Sequence, residues 1–272
     1  MHKKPMKNML SCLALILAAC SNPGASANQG AVKQDTMNAA KAVDNPSVVT
    51  TDTSFTLDYL TGHFDPAKHP DFTRIDDQYA DKIGLYLRKD AYEKFLEMYA
   101  AAEKEGIKLI IRSATRNFDY QKRIWENKWE GNQSLEGGEN ASKAYPEAKE
   151  RALAILRYSS MPGTSRHHWG TDIDLNSFNN SYFDQGAGKA IYDWLQDHAS
   201  EYGFCQPYTA GRPHGYNEER WHWSYLPIAR QLTHLAKASL KDDNIKGFKG
   251  DEAAKAIGVV EKYVLGINAA CL

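Results

Sequence analysis

No apolar run in this sequence is long enough to cross a bilayer. The stretch from Met9 to Ala19 is about half of the ~20 residues a spanning helix needs. Charge of one sign is also lacking: 33 basic residues face 34 acidic ones, a formal net charge of −1. Such a balance argues against nucleic acid as a partner. Cysteine is scarce, with four residues in 272, so a disulfide-dense scaffold is excluded. No serine is followed three positions later by lysine, and there is no nucleophile elbow, which removes the usual serine routes to peptide hydrolysis. No internal repeat is present, and no regular alternation of strands and helices.

What the N-terminal end does have is Lys3, Lys4 and Lys7 ahead of the short apolar stretch, the order of a secretory signal. It ends in Leu17-Ala18-Ala19-Cys20, which resembles the lipobox of bacterial lipoproteins. That resemblance implies a signal peptide over residues 1–19 and a lipid on Cys20. Loss of the three lysines takes the formal charge from −1 to −4. Ser21 rather than aspartate follows, so the expected place is the cell envelope, on the periplasmic face of the outer membrane, or on the outer face of the plasma membrane in a Gram-positive cell. Residues 20–51, rich in Ser, Asn, Gly, Ala, Asp, Thr and Val without apolar periodicity, read as a disordered tether with a reach of ~30 Å.

Residues 52–272 are within the size of one hydrophobic core, so one domain is expected, acting as a monomer. Apolar residues three or four apart predict a helix over 89–105, stopped at Gly106, with a strand over 107–111 behind it. Further helices are expected from about Asn117, from Ala148 to Tyr158 with Pro146 in the first turn, over 189–202, 226–240 and 252–264. Strands are expected over 171–175 and 221–225, and an exposed loop over 131–141. Mixed in this way, the elements point to an α+β fold, a small antiparallel sheet flanked by helices. Cys205 and Cys271 are left in an exported domain, where they either pair or stay as separate thiols.

Three distant segments offer groups of one chemical kind. Ser165-Arg166-His167-His168-Trp169-Gly170-Thr171-Asp172-Ile173-Asp174 carries imidazoles and carboxylates, the donors of catalytic zinc sites. Glu219-Arg220-Trp221-His222-Trp223 adds an imidazole with a carboxylate three residues ahead, suited to a general base beside a ligand. Ser113-Ala114-Thr115-Arg116, with Gln121 five residues on, offers a planar cation able to grip a carboxylate. Arg116 could equally be a structural ion pair at a helix start.

In order and spacing these segments resemble the D-alanyl-D-alanine carboxypeptidases of the VanY type, in peptidase family M15, over roughly residues 65–230. The resemblance implies a hedgehog/DD-peptidase-like fold and one Zn2+ held by His167, Asp174 and His222. It also implies Glu219 as catalytic base, Arg116 on the substrate carbonyl or terminal carboxylate, and Ser113, Gln121 and Ser165 as substrate-binding residues that line or support the pocket, with Trp221 beside them. The substrate implied is a peptidoglycan stem peptide. The bond cut stays open between D-Ala-D-Ala, an L,D-carboxypeptidase bond, and dipeptidase or endopeptidase cleavage, and a non-catalytic zinc-bearing module is the alternative from another class. Asp172, where the family pattern has a small residue, would share a strand face with Asp174, so either could reach the metal. Asp174 is taken as ligand and Asp172 as a residue that orients one. His168 is expected to point away from the metal, as pocket wall or surface. Of Trp169, Tyr216, Trp221 and Trp223, at least two are expected in the core.

Overall fold

The structure is a computed structural model and describes residues 55–272. The signal segment, Cys20 and the tether of 20–51 lie outside the described residues. Within them the chain forms α1 (Leu57–Thr61), β1 (Phe72–Arg74), β2 (Tyr86–Arg88), α2 (Lys89–Lys104), β3 (Ile111–Ser113) and α3 (Phe118–Trp129). Next come α4 (Ala141–Ala144), α5 (Ala148–Ile155), β4 (Asp172–Leu175), α6 (Gly186–His198), β5 (Phe204–Cys205), β6 (His222–Tyr225), α7 (Leu226–Ser239) and α8 (Ala253–Ile257). This is the α+β class expected. Among the described residues no helix is long and apolar enough to cross a membrane.

Strands β1 and β2 form a hairpin-like pair, and the other four make an antiparallel sheet in the order β3-β4-β6-β5. In its centre Asp172 lies opposite Ser224, Ile173 opposite Trp223, and Asp174 opposite His222. Because strand side chains alternate, the polar members of these pairs share one face and the apolar members the other. The apolar face packs Ile173, Leu175 and Trp223 with Phe95 of α2 and Leu195 of α6 in one core cluster. A second cluster, built around Trp125, Trp129, Ile155, Trp169 and Leu232, gathers α3, α5, α7 and α8. The polar face is enclosed too: every residue of β4 and β6 is buried. The alternation expected for 171–175 therefore shows in side-chain chemistry and not in exposure.

Several boundaries move. The strand expected over 107–111 begins only at Ile111, because the segment before it bonds to one side chain instead of a ladder. Asn176 donates from its side chain to the Lys108 carbonyl and from its backbone to the Ile110 carbonyl, each at 2.8 Å. Asn176 adopts φ 61° to do so, a conformation asparagine tolerates better than most residues. Pro146 precedes the Glu147 cap and so stands outside α5 rather than in its first turn, and α5 ends at Ile155. The helix expected over 252–264 is interrupted at Gly258, whose φ of 71° ends α8. Cys205 on the edge strand β5 and Cys271 near the end of the chain form a disulfide, with Cα atoms 5.8 Å apart. Of the two outcomes left open for these cysteines, pairing is the one seen.

Candidate metal centre

The bulk of the site is set by the sheet register. Asp174 on β4 and His222 on β6 are direct cross-strand neighbours, and His222 Nδ1 lies 3.1 Å from Asp174 Oδ1. His167 comes from a single helical turn, residues 166–169, between Ser165 and Gly170. Gly170 has φ 73°, and a Cβ there would fall within 2.5 Å of the Phe72 ring, so glycine is required for the chain to return into β4. The turn is pinned to the segment after β3: the Arg116 amide donates to the His167 carbonyl at 3.1 Å. His167 Nδ1 lies 2.8 Å from the Ala114 carbonyl. A carbonyl can only accept, so Nδ1 carries the proton and Nε2 keeps its lone pair. That Nε2 lies 3.2 Å from Asp174 Oδ2.

One donor atom each from His167, Asp174 and His222 lies within 4.8 Å of the others, and all three residues are buried. His167 Nε2 and Asp174 Oδ1 have no hydrogen-bond partner. Unpaired buried polar atoms cost on the order of 1–3 kcal/mol each, so two of them facing one point mark a place built for a ligand. Two imidazoles and a carboxylate are the donor set of catalytic zinc. The residues present fit the ion.

Charge follows the same logic. Asp172, Asp174 and Glu219 converge on His222, at 2.8, 3.1 and 3.5 Å. Burial alone would lower the His222 pKa, but these three carboxylates outweigh it and raise it well above the ordinary value. Burial works against ionisation of Asp174, yet the two imidazoles hold its carboxyl far below the usual range. His167 is pushed down by burial and then by Arg116. Glu219 is raised by burial, with His222 acting the other way. The excess of carboxylate over imidazole is what a divalent cation would neutralise.

Asp172 does not compete for the metal position. Its Oδ1 accepts from His222 Nε2 at 2.8 Å and from Arg166 Nε at 3.2 Å, and its Oδ2 accepts from the hydroxyls of Thr171 and Ser224. By accepting the Nε2–H it leaves His222 Nδ1 facing Asp174. Arg166 escaped the sequence reading. It is fully buried, donates to Thr233 and Ser224 at 3.0 and 2.9 Å, and lies 4.4 Å over the Trp169 ring. Its position beside His167 was the available signal, since an arginine next to a buried ligand needs a buried acid.

A cavity of about 390 Å³ opens onto the cluster, lined among others by Ser113, Arg116, Lys128, Asp174, Glu219 and Trp221. Arg116 Nε is buried without a partner, and among the described residues no carboxylate pairs with its guanidinium. The structural ion pair considered for Arg116 is thus not formed. Ser113 and Trp221 line the cavity, and Gln121 and Ser165 are not among its lining residues. Gln121 Nε2 donates to the Ser160 carbonyl at 2.8 Å and so braces the wall from behind, and the Ser165 hydroxyl is buried without a partner. His168 points away from the metal position, as expected, but lies in the core instead of at the surface. Its Nε2 accepts from the Gly163 amide at 3.0 Å, its Nδ1 donates to the Arg116 carbonyl, and burial holds its pKa down at about 3. Trp169, Tyr216, Trp221 and Trp223 are all buried.

The Bacillus subtilis (strain 168) protein named "Putative carboxypeptidase YodJ" is 30% identical over 174 residues, 61% of this chain and 56% of that protein. The chain thus spans little more than half the length of that curated relative. A solved structure of the LdcB LD-carboxypeptidase is 22% identical, with a TM-score of 0.47 over 75% of this chain and 78% of that one. A structure of VanYB in complex with D-alanine-D-alanine is 21% identical, with a TM-score of 0.44 over 64% and 87%. Residues 84–228, more than half the chain and all of the site residues described, match the family model of VanY, D-alanyl-D-alanine carboxypeptidase, and the chain belongs to that family.

Proposed function

We propose that the chain is a zinc carboxypeptidase that hydrolyses the C-terminal D-alanine bond of peptidoglycan stem peptides. The observation that carries this is the buried convergence of His167, Asp174 and His222, with two donor atoms left unpaired and Asp174 lining an open cavity. His167 Nε2, Asp174 and His222 Nδ1 would hold the metal. Zinc, when bound, acidifies a coordinated water and polarises the scissile carbonyl. Glu219, buried and lining the cavity beside His222, accepts the proton of the attacking water and returns it to the leaving amine. Its raised pKa brings it closer to the operating range of such a base. Arg116, an unpaired guanidinium on the same wall, holds the terminal carboxylate or the carbonyl oxygen as charge develops. Trp221, Tyr158 and Leu135 supply apolar walls that limit access of bulk water.

The protein is further proposed to be acylated at Cys20 and to work at the cell envelope, the 20–51 segment carrying the domain from the bilayer to the wall. A Cys20→Ser variant that still fractionates with membranes would count against the anchor. The activity is tested on defined penta- and tetrapeptide muropeptides, with products read by mass spectrometry. Loss of one alanine from either, abolished by chelator and by Glu219→Ala, is the expected result, and the preferred peptide identifies the bond. Zinc binding without any product would favour a binding module instead.

A further inference from the structure

Arg116 is not the only cation facing this cavity. Lys128 lines it as well, from the last turn of α3. Tyr120, Ile124 and Lys128 are four residues apart and all reach the cavity, so one row of α3 forms its wall. A lysine at a helix C-terminus ordinarily extends into water, where it complements the helix dipole. This one is turned inward and half-buried. Its ammonium donates to the Ser159 hydroxyl at 2.6 Å, a neutral acceptor that leaves the charge uncompensated. Among the described residues no carboxylate lies within 4.0 Å of it, although Glu136 and Glu219 line the same cavity. Burial, then repulsion from Arg116, push its pKa below the ordinary value, with Glu136 and Glu219 acting the other way.

Two cations without a carboxylate partner on one cavity, which Lys82 also lines, favour a ligand with more than one anionic group. Arg116 stands just before α3 and Lys128 near its end. We infer that Lys128 is a specificity residue that pairs with a second carboxylate of the substrate, upstream of its C-terminus. The preferred substrate class is thus a stem peptide whose upstream acidic residue is free, not amidated. This rests on the carboxypeptidase reading, which assigns the terminal carboxylate to the Arg116 end.

The competing role for Lys128 is structural: its bond to Ser159 also ties α3 to the segment before the 166–169 turn. Matched peptides ending in D-Ala-D-Ala, with a carboxylate or a carboxamide on an upstream residue, separate the two roles. Turnover is measured in the zinc-loaded native chain, and binding by calorimetry in the Glu219→Ala background. The native protein is expected to favour the free carboxylate by about tenfold to a hundredfold, the scale of one charge-assisted hydrogen bond. Lys128→Met should bring the ratio near one, mostly through KM, and Lys128→Arg should restore much of it. A native protein without preference, or one that binds neither peptide, overturns the inference even if Lys128→Met fails to fold. So does a Lys128→Met protein that keeps the preference, or loses both peptides equally. Discrimination in binding without hydrolysis would leave Lys128 its role and remove the carboxypeptidase reading, whereas hydrolysis without discrimination does the reverse.

Discussion

Two buried polar clusters lie side by side on one face of the same sheet, and they differ in how completely they are satisfied. Around Asp172 every strong group has a partner: Arg166, His222, Thr171 and Ser224 meet the carboxylate, and Thr233 takes another proton of Arg166. Around Asp174, one strand residue pair away, His167 Nε2 and Asp174 Oδ1 are left without a partner. A satisfied cluster can only support, because a ligand entering it would have to displace bonds already made. An unsatisfied one gains from a ligand what folding left unpaid. The Asp172 cluster is read here as the frame, and the Asp174 cluster as the seat of the metal.

The strongest way to break this contrast is to load the site. Zinc at a thousand times its Kd should stabilise the native chain by about 4 kcal/mol. His167→Ala should remove most of that gain, over and above the cost to the metal-free protein of the lost bond to the Ala114 carbonyl. Thermal unfolding with and without zinc reads both, and an equal zinc response in the variant would refute the assignment.

The frame should respond in the opposite manner. Asp172→Ala leaves Arg166 buried and unpaired, so a loss of about 3 kcal/mol is expected even without zinc. Weaker zinc binding, by roughly ten- to a hundredfold, should follow from the freed His222. Denaturant unfolding and a metal-competition titration separate the two effects. A variant with unchanged stability would show that the Arg166–Asp172 pair is not what holds the frame.

A third cluster, on the far side of Trp169, extends the comparison to the smallest effect. The Tyr59 hydroxyl donates to the Trp169 carbonyl at 2.8 Å and accepts from Arg88 Nη1 at 3.0 Å. Tyr59→Phe should cost about 1 kcal/mol at neutral pH. Burial raises the Tyr59 pKa to about 12, with Arg88 acting the other way. A folded pKa above the unfolded value of ~10 means the contribution is complete below pH 10 and lost as pH rises toward 12. Between those values the native chain should lose stability more steeply than the variant. Parallel slopes in alkaline unfolding would show that this tyrosine is not masked by the fold.

Most of the site was legible because its chemistry is carried by residue type at fixed spacing. Two imidazoles and an aspartate, a glutamate three residues before the second imidazole, and an arginine ahead of a helix can be read off the chain. Helical spacing likewise marked α2, α3, α6 and α7, since burial of one face imposes a 3.6-residue period. The segment at 107–110 was misjudged because its bonds go to Asn176, 66 and 68 residues away from its partners in sequence. For Gln121 and Ser165 the choice between lining the pocket and supporting it was left open for a related reason. A motif says which residues accompany a site, and not whether they line it or brace it from behind.

Sequence alone determined the donor set and its order along the chain, because ligand chemistry and helix periodicity are local properties of residue type. Only the tertiary structure shows why Asp174 rather than Asp172 is free for a metal, since that depends on Arg166 and Ser224 occupying Asp172. The same holds for the disulfide between Cys205 and Cys271, and for Lys128 turning into the cavity. Such choices are made by register and packing between distant segments, which no local pattern of residues encodes.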